Sequence, residues 1–227
     1  MEWDWSFALQ IVPLLAQGVK ITVYASLLAS ALAMLAGLGI AILRRSASPV
    51  MGSVVRFGIG FVRGTPLLVQ LYFTFYVLPD VGIYLSPLAA GVITLGMHYS
   101  SYTSEVYRAG IDNIDRGLWE AAKALNLTRL QTWRYIILPL AVPPMLPALG
   151  NYIVAMFKET PLLSVITVIE LMGEARIIAN IHYRYLEPMT MVGLFFIAVS
   201  VPSVIALQYI EKHYGVAQRR HRNMQIF

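Results

Sequence analysis

Residues 21–43 read ITVYASLLASALAMLAGLGIAIL, which is 23 residues without an Asp, Glu, Lys or Arg. About 20 apolar residues suffice for a helix to cross the ~30 Å hydrocarbon core of a membrane. Three further charge-free runs have 23 or 24 residues and a fourth has 16: 81–104, 135–157, 188–210 and 64–79. We therefore predict five transmembrane helices, at about residues 18–43, 61–79, 86–108, 137–158 and 188–211.

The composition agrees with a membrane protein. Of the 227 residues, 58% are hydrophobic and 13% are charged, whereas a soluble domain has about 45–50% apolar and about 25% charged residues. The mean hydropathy is +0.65. The absence of cysteine excludes disulfide scaffolds and thiolate metal sites. We expect an all-α integral membrane protein with a single transmembrane domain over residues 1–227.

Lysine and arginine predict which side of the membrane each loop faces. In chain order, the segments after the charge-free runs 21–43, 81–104 and 188–210 carry four, five and four of them, whereas the N-terminal segment starts with Glu2 and Asp4. The N-terminus is therefore predicted outside and the C-terminus in the cytoplasm, which requires an odd number of spans. Because the basic residues lie at loop edges, the net charge of +5 indicates contact with membrane lipid and not with nucleic acid.

Small residues in the first span predict a close approach of another helix. Gly37 and Gly39 lie among several alanines and serines, a composition typical of helix contacts in membranes. Packing within the bundle and packing between subunits both fit this pattern.

The predicted cytoplasmic loop at about 111–138 contains two short helices. Residues 111–117 indicate a turn, and residues 118–125 are good helix formers. Asn126 tolerates the left-handed conformation that ends a helix, and Thr128 is a candidate N-cap for a second helix at 129–136. No nucleophile is paired with a base here, so we interpret the loop as a docking site for a partner.

The same loop resembles the EAA loop of bacterial ABC importer permeases, whose pattern is EAA-x3-G-x9-I-x-LP. Residues 120–122 read EAA, and Ile136, Leu138 and Pro139 follow at the required spacing. The one departure is Asn126 in place of glycine. The resemblance implies that five residues couple this loop to an ATPase: Gly117, Glu120, Ala121, Ala122 and Asn126.

Other stretches narrow the resemblance to the polar amino acid branch of these permeases. They are RGTPLLVQ at 63–70, YTSEVYRAG at 102–110 and FKETPLLS at 157–164. With residues 71–88 and with YRYLEPMT at 183–190, the chain is most similar to ectoine and hydroxyectoine permeases. The resemblance covers about residues 11–212 and predicts the importer permease fold in the bacterial inner membrane.

The family resemblance also implies the partners. Cytoplasmic ATP-binding subunits would bind ATP and Mg²⁺, an extracytoplasmic protein would deliver solute, and a second permease chain, identical or paralogous, would complete the path. No cofactor is expected in this chain. It lacks a GxxxxGK[ST] phosphate loop, so we predict a permease subunit that does not hydrolyse ATP.

Polar residues at membrane depth predict the solute path, because ionisable groups there are costly and usually face an aqueous cavity. The candidates are Gln70, His98, Ser101, Tyr102, Glu159, Thr160 and Ser164. Glu159 would bind a cationic group of the solute, which suits the amidinium of ectoine and equally suits arginine or histidine. A snorkelling Lys158–Glu159 pair, and hydrogen bonding between helices for the hydroxyl groups of the third span, are the alternatives.

Two other classes of function were weighed. A secondary transporter or channel acting alone would leave the EAA loop without a purpose, and we find no inverted repeat. A membrane enzyme is disfavoured by the lack of cysteine, clustered histidine or a nucleophile–base motif. Two solute classes fit the sequence: ectoines, or a polar amino acid such as arginine, histidine or glutamine.

Overall fold

The computed structural model describes residues 2–46 and 48–224, and these residues form helices and no strands. The all-α prediction is therefore confirmed. Residues 1, 47 and 225–227 of the expected domain lie outside the described residues. The α-helices are α1 Trp5–Ser46, α2 Pro49–Gly64, α3 Leu67–Tyr72, α4 Pro87–Asp112, α5 Arg116–Ala124, α6 Arg129–Thr132, α7 Leu138–Glu159, α8 Leu171–His182 and α9 Leu186–Met224. Two π-helical turns, Phe73–Val77 and Trp133–Ile137, and two 3-10 helices, Leu78–Val81 and Thr160–Ile166, lie between them.

The long helix α1 packs along α4, which forms the centre of the fold. At Gly37 the two helices approach so closely that an added Cβ would lie 2.0 Å from Thr103 Oγ1. The Thr103 hydroxyl donates a hydrogen bond of 2.8 Å to the carbonyl oxygen of Ala33 on α1. Gly39 has open space instead. The predicted close approach is thus present at Gly37 and not, within the described chain, at Gly39.

The chain bends by 100° between α2 and the helical segment Leu67–Val81. Thr65 is extended, with φ −102° and ψ 136°, because the ring of the following Pro66 disfavours helical backbone at the residue before it. The break falls inside the predicted second span, 61–79. The straight part of that span therefore begins at Leu67.

Three helical stretches are long and apolar enough to cross a membrane: Trp5–Arg45, Arg129–Ile166 and Leu186–Tyr209. The broken pair Pro49–Gly64 and Leu67–Val81 is a fourth candidate. The 26-residue α4 is not among them, because its middle turns carry the polar run HYSSYTS, residues 98–104. Five spans with α4 at the centre remain a prediction.

A buried carboxylate fixes the start of α8 against α1. Glu170 caps α8, and its two carboxylate oxygens accept hydrogen bonds from the backbone N–H groups of Met172 and Gly173, at 3.0 and 2.8 Å. Thr22 on α1 donates to the same carboxylate at 3.4 Å and accepts from the Leu171 N–H at 3.1 Å. This network positions the connection between α7 and α9.

A second polar network ties the N-terminus to the turn between α8 and α9. Arg184 pairs with Asp4 at 3.3 Å and with Glu187, and its guanidinium lies 5.3 Å from the ring centre of Phe7. The Asp4 N–H also donates to Glu187 at 3.1 Å. The first residues of the chain are thus held at the start of the last helix.

Candidate coupling loop and solute pathway

The loop that carries the EAA residues is a rigid, capped unit. Asp115 begins α5 and accepts a hydrogen bond of 2.6 Å from the Gly117 N–H. Asn126 lies two residues after the end of α5 and has φ 53°. The N–H groups of Asn126 and Leu127 donate to the carbonyl oxygens of Lys123 and Ala122, at 3.0 and 3.1 Å, and so end the helix. This is the left-handed ending predicted for Asn126. Thr128 and Gln131 form a reciprocal capping box at the start of α6.

The second helix of the loop differs from its prediction. It does not end at residue 136, because α6 continues through the π-helical turn Trp133–Ile137 directly into α7. Pro139 is the second residue of α7, which begins directly after the π-helical turn. The loop is therefore continuous with the fourth predicted span.

The five predicted coupling residues divide between the surface and the interior. Gly117, Glu120, Ala121 and Asn126 are exposed, whereas Ala122 is buried against the body of the loop. Leu125 and Leu130 are also exposed, at 72% and 75% of their surface. The exposed side of the loop thus combines a carboxylate with apolar groups, which suits contact with a protein partner.

Arg45 at the end of α1 connects the loop to the bundle. Its guanidinium lies 5.5 Å from the ring centre of Trp119 and 6.0 Å from that of Trp133, and the two indoles meet edge to face at 5.6 Å. Arg45 also pairs with Asp112 at 3.0 Å. The residue before Glu120 is therefore held against the last turn of α1.

Ion pairs continue this connection along α4. Arg108 binds Glu105 at 2.8 Å and Asp112 at 2.9 Å, and Glu105 also pairs with Arg44 on α1. These contacts fix α1 and α4 to each other on the side from which the loop extends.

Gln70 and His98 meet inside the bundle. The Gln70 amide nitrogen donates to Val62 O, Thr65 O and Thr65 Oγ1, at 2.7, 3.1 and 2.6 Å. Its Oε1 lies 3.2 Å from His98 Nδ1. Gln70 therefore satisfies the carbonyl groups exposed by the break before α3, and it fixes His98 on α4.

Most of the predicted hydroxyl groups bond to their own helix. Ser101 donates to the His98 carbonyl at 2.6 Å, Thr160 to Phe157 at 2.8 Å and Ser164 to Pro161 at 2.8 Å. Ser101 and Thr160 are buried. The hydrogen bonding between helices that was weighed for the third span occurs at Thr103, on the neighbouring face of α4.

Glu159 differs from the other candidates. It is the last residue of α7 and is half-buried. Its carboxylate interacts with the Tyr99 hydroxyl, while Oε2 is buried without a hydrogen-bond partner among the described residues. A buried acceptor left unpaired is costly, so this oxygen is available to a ligand that carries a donor.

An aromatic wall stands beside Glu159. Tyr99 and Tyr102 on α4 and Tyr152 on α7 have ring centres 5.6–5.9 Å apart. Arg63 covers Tyr102, with its guanidinium carbon 4.6 Å from the ring centre. Tyr152 and Arg63 are not among the predicted pathway residues. Tyr152 lies in a charge-free run that gives no local signal, because only the packing of α4 on α7 brings its ring against Tyr99 and Tyr102.

A family model described as "Binding-protein-dependent transport system inner membrane component" matches residues 9–216. A probable amino-acid ABC transporter permease of Sinorhizobium fredii is 38% identical over 208 residues, 92% of this chain and 90% of the relative. The glutamine transport system permease of Escherichia coli K12 is 34% identical over 214 residues, 93% of this chain and 98% of the relative.

Two kinds of solved structure have the same fold. The crystal structure of an amino acid ABC transporter with histidines superposes with a TM-score of 0.86 at 34% identity, covering 94% of this chain and 100% of that chain. An inward-facing methionine ABC transporter superposes with a TM-score of 0.70 at 18% identity, covering 90% of this chain and 98% of that chain.

Proposed function

This chain belongs to the family of binding-protein-dependent transport system inner membrane components, and from that membership we propose that it is the permease subunit of an ABC importer for polar amino acids. The observation that carries the proposal is the EAA loop, capped at both helices and fixed to α1 through Arg45. The permease provides the path, and partner subunits that bind ATP and Mg²⁺ perform the hydrolysis.

The solute class rests on the relatives. The permeases of Sinorhizobium fredii and Escherichia coli are named for amino acids and for glutamine, and the superposed crystal structure is of an amino acid transporter with histidines. None of these names supports ectoine. We therefore favour a polar amino acid over the ectoines, although the stretches at 71–88 and 183–190 resemble those of ectoine permeases.

Glu159 would receive the cationic group of the solute. Its unpartnered Oε2 can accept a hydrogen bond from an ammonium or guanidinium group, and the face of Tyr152 attracts cations. The hydroxyl groups of Ser101, Thr160 and Ser164 bond to backbone carbonyl groups of their own helices. They would stabilise the helices that line the path and would not bind solute. His98, held by Gln70, has its ring centre 5.5 Å from that of Tyr99 and 5.4 Å from that of Tyr102, so it would border the same side of the path as the tyrosines.

The loop would couple ATP binding and hydrolysis in the partner subunits to movement of the permease. Two permease chains, identical or paralogous, would enclose a shared cavity, and closure of the ATPase subunits would move the two loops together. A loaded binding protein would then release solute into the cavity. Arg45 and the ion pairs of Glu105 and Asp112 would carry the motion of the loop to α1 and α4.

The direct test is the ATPase activity of the complex in lipid vesicles with its purified binding protein, scanned over glutamine, histidine, arginine, ectoine and hydroxyectoine. We expect stimulation by one or more amino acids and none by the ectoines. Stimulation by ectoines alone would keep the importer and overturn the solute class. An ATPase activity that does not change when the binding protein is added would contradict the proposal that the complex is an importer.

The docking role of the loop has a separate test. Glu120→Arg should abolish co-purification of the ATPase subunit, because the substitution replaces the exposed carboxylate of the proposed docking surface by a guanidinium cation. The matched control is Glu2→Arg, which makes the same charge change at an exposed residue on the predicted outer side. Equal recovery of the ATPase with both variants would count against the proposed coupling surface.

A further inference from the structure

Helix α2 has two opposite apolar faces, and only one of them is covered. Gly52 and Ile59 are buried and Val55 and Val62 are half-buried, which places these four on the side that packs against α1 and α4. The opposite side presents Val50, Val54, Phe57 and Phe61, spaced by four, three and four residues. Helical geometry puts these four in one stripe, and each is between 60% and 77% exposed.

The orientation of α2 places this stripe beside the membrane. Positive charge assigns the segment between the first two spans to the cytoplasm, and α2 turns by 100° from the segment Leu67–Val81. If that segment crosses the bilayer, α2 lies near the plane of its cytoplasmic surface. A helix in this position with an apolar face and flanking arginines has the features of an interfacial helix.

The polar side of α2 borders a basic cavity. The cavity has a volume of about 470 Å³, and four arginines but one carboxylate line it: Arg44, Arg45, Arg56, Arg108 and Asp112. Arg44, Arg45 and Arg108 form ion pairs with Glu105 or Asp112. Arg56 bonds Ser53 at 2.7 Å and forms no ion pair within residues 2–46 and 48–224. Its charge is available to an anion.

We propose that α2 is an interfacial anchor whose stripe Val50, Val54, Phe57 and Phe61 enters the acyl chains of the inner leaflet, while Arg56 binds the phosphate of an anionic lipid at the basic cavity. The positive charge of α2 favours anionic lipid, and not a second copy of the chain, as the partner of this helix. A two-fold contact between two stripes would bring the same arginine-bearing helices together, whereas inner-leaflet headgroups supply the opposite charge.

The first experiment measures what surrounds the stripe. Because the chain has no cysteine, Phe57→Cys gives a unique site for a nitroxide label in the complex, assembled with cysteine-free partner subunits in vesicles of phosphatidylethanolamine and phosphatidylglycerol. We expect more collisions with oxygen than with a water-soluble nickel chelate. Ser53→Cys, on the polar side of the same helix, should show the reverse ratio.

Two outcomes would overturn the insertion of the stripe. A label at residue 57 that meets the nickel chelate freely would show an aqueous surface. A label shielded from both reagents would show that protein covers the stripe, from a second permease or from the ATPase.

The second experiment measures the headgroup contact. Arg56→Gln should lower the number of phosphatidylglycerol molecules retained in native mass spectrometry by one per permease chain. Arg63→Gln is the matched control, because Arg63 has the same charge on the same helix but stacks on Tyr102. Unchanged retention in Arg56→Gln, or equal retention of phosphatidylcholine, would overturn the proposed phosphate contact.

Discussion

Glu159 shows how one atom can distinguish a functional residue from its neighbours. Seven polar residues were predicted to line the path, and the structure satisfies most of them with local hydrogen bonds. Only Glu159, of these seven, leaves a buried oxygen unpaired in the part of the chain that the structure describes. Sequence identifies a carboxylate near the membrane edge, but the pairing of each oxygen depends on the packing of α4 against α7.

We predict that Glu159→Gln weakens binding of the transported amino acid. Loss of a charge-assisted hydrogen bond costs about 1.5–3 kcal/mol, which is roughly a tenfold loss of affinity or more. Isothermal titration of the solubilised complex, without binding protein, measures the dissociation constant. Glu174→Gln, which removes a half-buried carboxylate from α8, should leave it unchanged. The same constant in all three proteins would remove Glu159 from the solute site.

Glu170 makes the stability of the fold depend on pH. Burial raises the pKa of its carboxyl from 4.5 to about 7, against the opposing effect of hydrogen bonds from Met172, Gly173 and Thr22. Between these two values the folded protein retains a proton that the unfolded chain releases. The contribution is therefore fully present below about pH 4.5 and is lost as the pH rises through 7.

Glu170→Gln should remove this dependence. The shift corresponds to about 3 kcal/mol, so we expect the wild-type melting temperature to fall from pH 5 to pH 8 and the variant to show a smaller fall. Tryptophan fluorescence during heating in detergent gives both values. Glu174→Gln should retain the wild-type slope. A slope in Glu170→Gln equal to that of the wild type would contradict the buried proton.

At the scale of elements, local signals predicted the coupling loop well. Thr128 as an N-cap and Asn126 as a left-handed ending depend on residues within a few positions of each other. The second helix was predicted to end at residue 136, three residues before Pro139. A π-helical turn over Trp133–Ile137 precedes the proline and lets the helix continue. No pattern in the local residues predicts a π-helical turn there.

The break before α3 was only partly predictable for the same reason. Thr65-Pro66 signals a change of direction, but the partners of the freed carbonyl groups lie elsewhere. Gln70 bonds two of them and reaches His98 on α4. Its interpretation as a pathway residue came from its polarity alone, and the bend explains its position more directly.

Asn126 gives a prediction for the loop as an element. Its φ of 53° suits glycine and asparagine, whereas a β-branched residue there costs about 1–2 kcal/mol. Asn126→Gly should therefore bind the ATPase subunit as the wild type does, and Asn126→Val should bind it less. Co-purification measures the amount bound, and expression of the permease alone controls for folding. Equal recovery with valine would show that the loop ending does not affect docking.

At the scale of the molecule, the contact between α1 and α4 organises the bundle. Gly37→Ala would place a methyl group 2.0 Å from Thr103 Oγ1 and 3.0 Å from the Ser100 carbonyl oxygen. We expect a melting temperature several degrees lower, because the two helices must separate. Gly39 is two residues away and has open space around it, so Gly39→Ala should have the melting temperature of the wild type. A larger fall in melting temperature for Gly39→Ala than for Gly37→Ala would show that Gly39 packs against another subunit.

Apolar length predicts some of the spans and not others. Apolar length alone predicts α1, the α6–α7 stretch and α9. The central helix α4 fails the same test, although eleven of its residues are buried. Other helices cover its polar face, so the apolar length that identifies a span from sequence is weak in this helix although the helix lies inside the bundle.

The order in which the ribosome releases these helices suits this arrangement. A nascent α4 alone would present His98 and a row of hydroxyl groups to lipid, which is costly. By then α1 has already been synthesised, and it offers the Ala33 carbonyl group to Thr103 and a smooth face at Gly37. Insertion of the least apolar helix therefore depends on a helix made earlier, and a truncated protein that begins after α1 should fail to integrate α4.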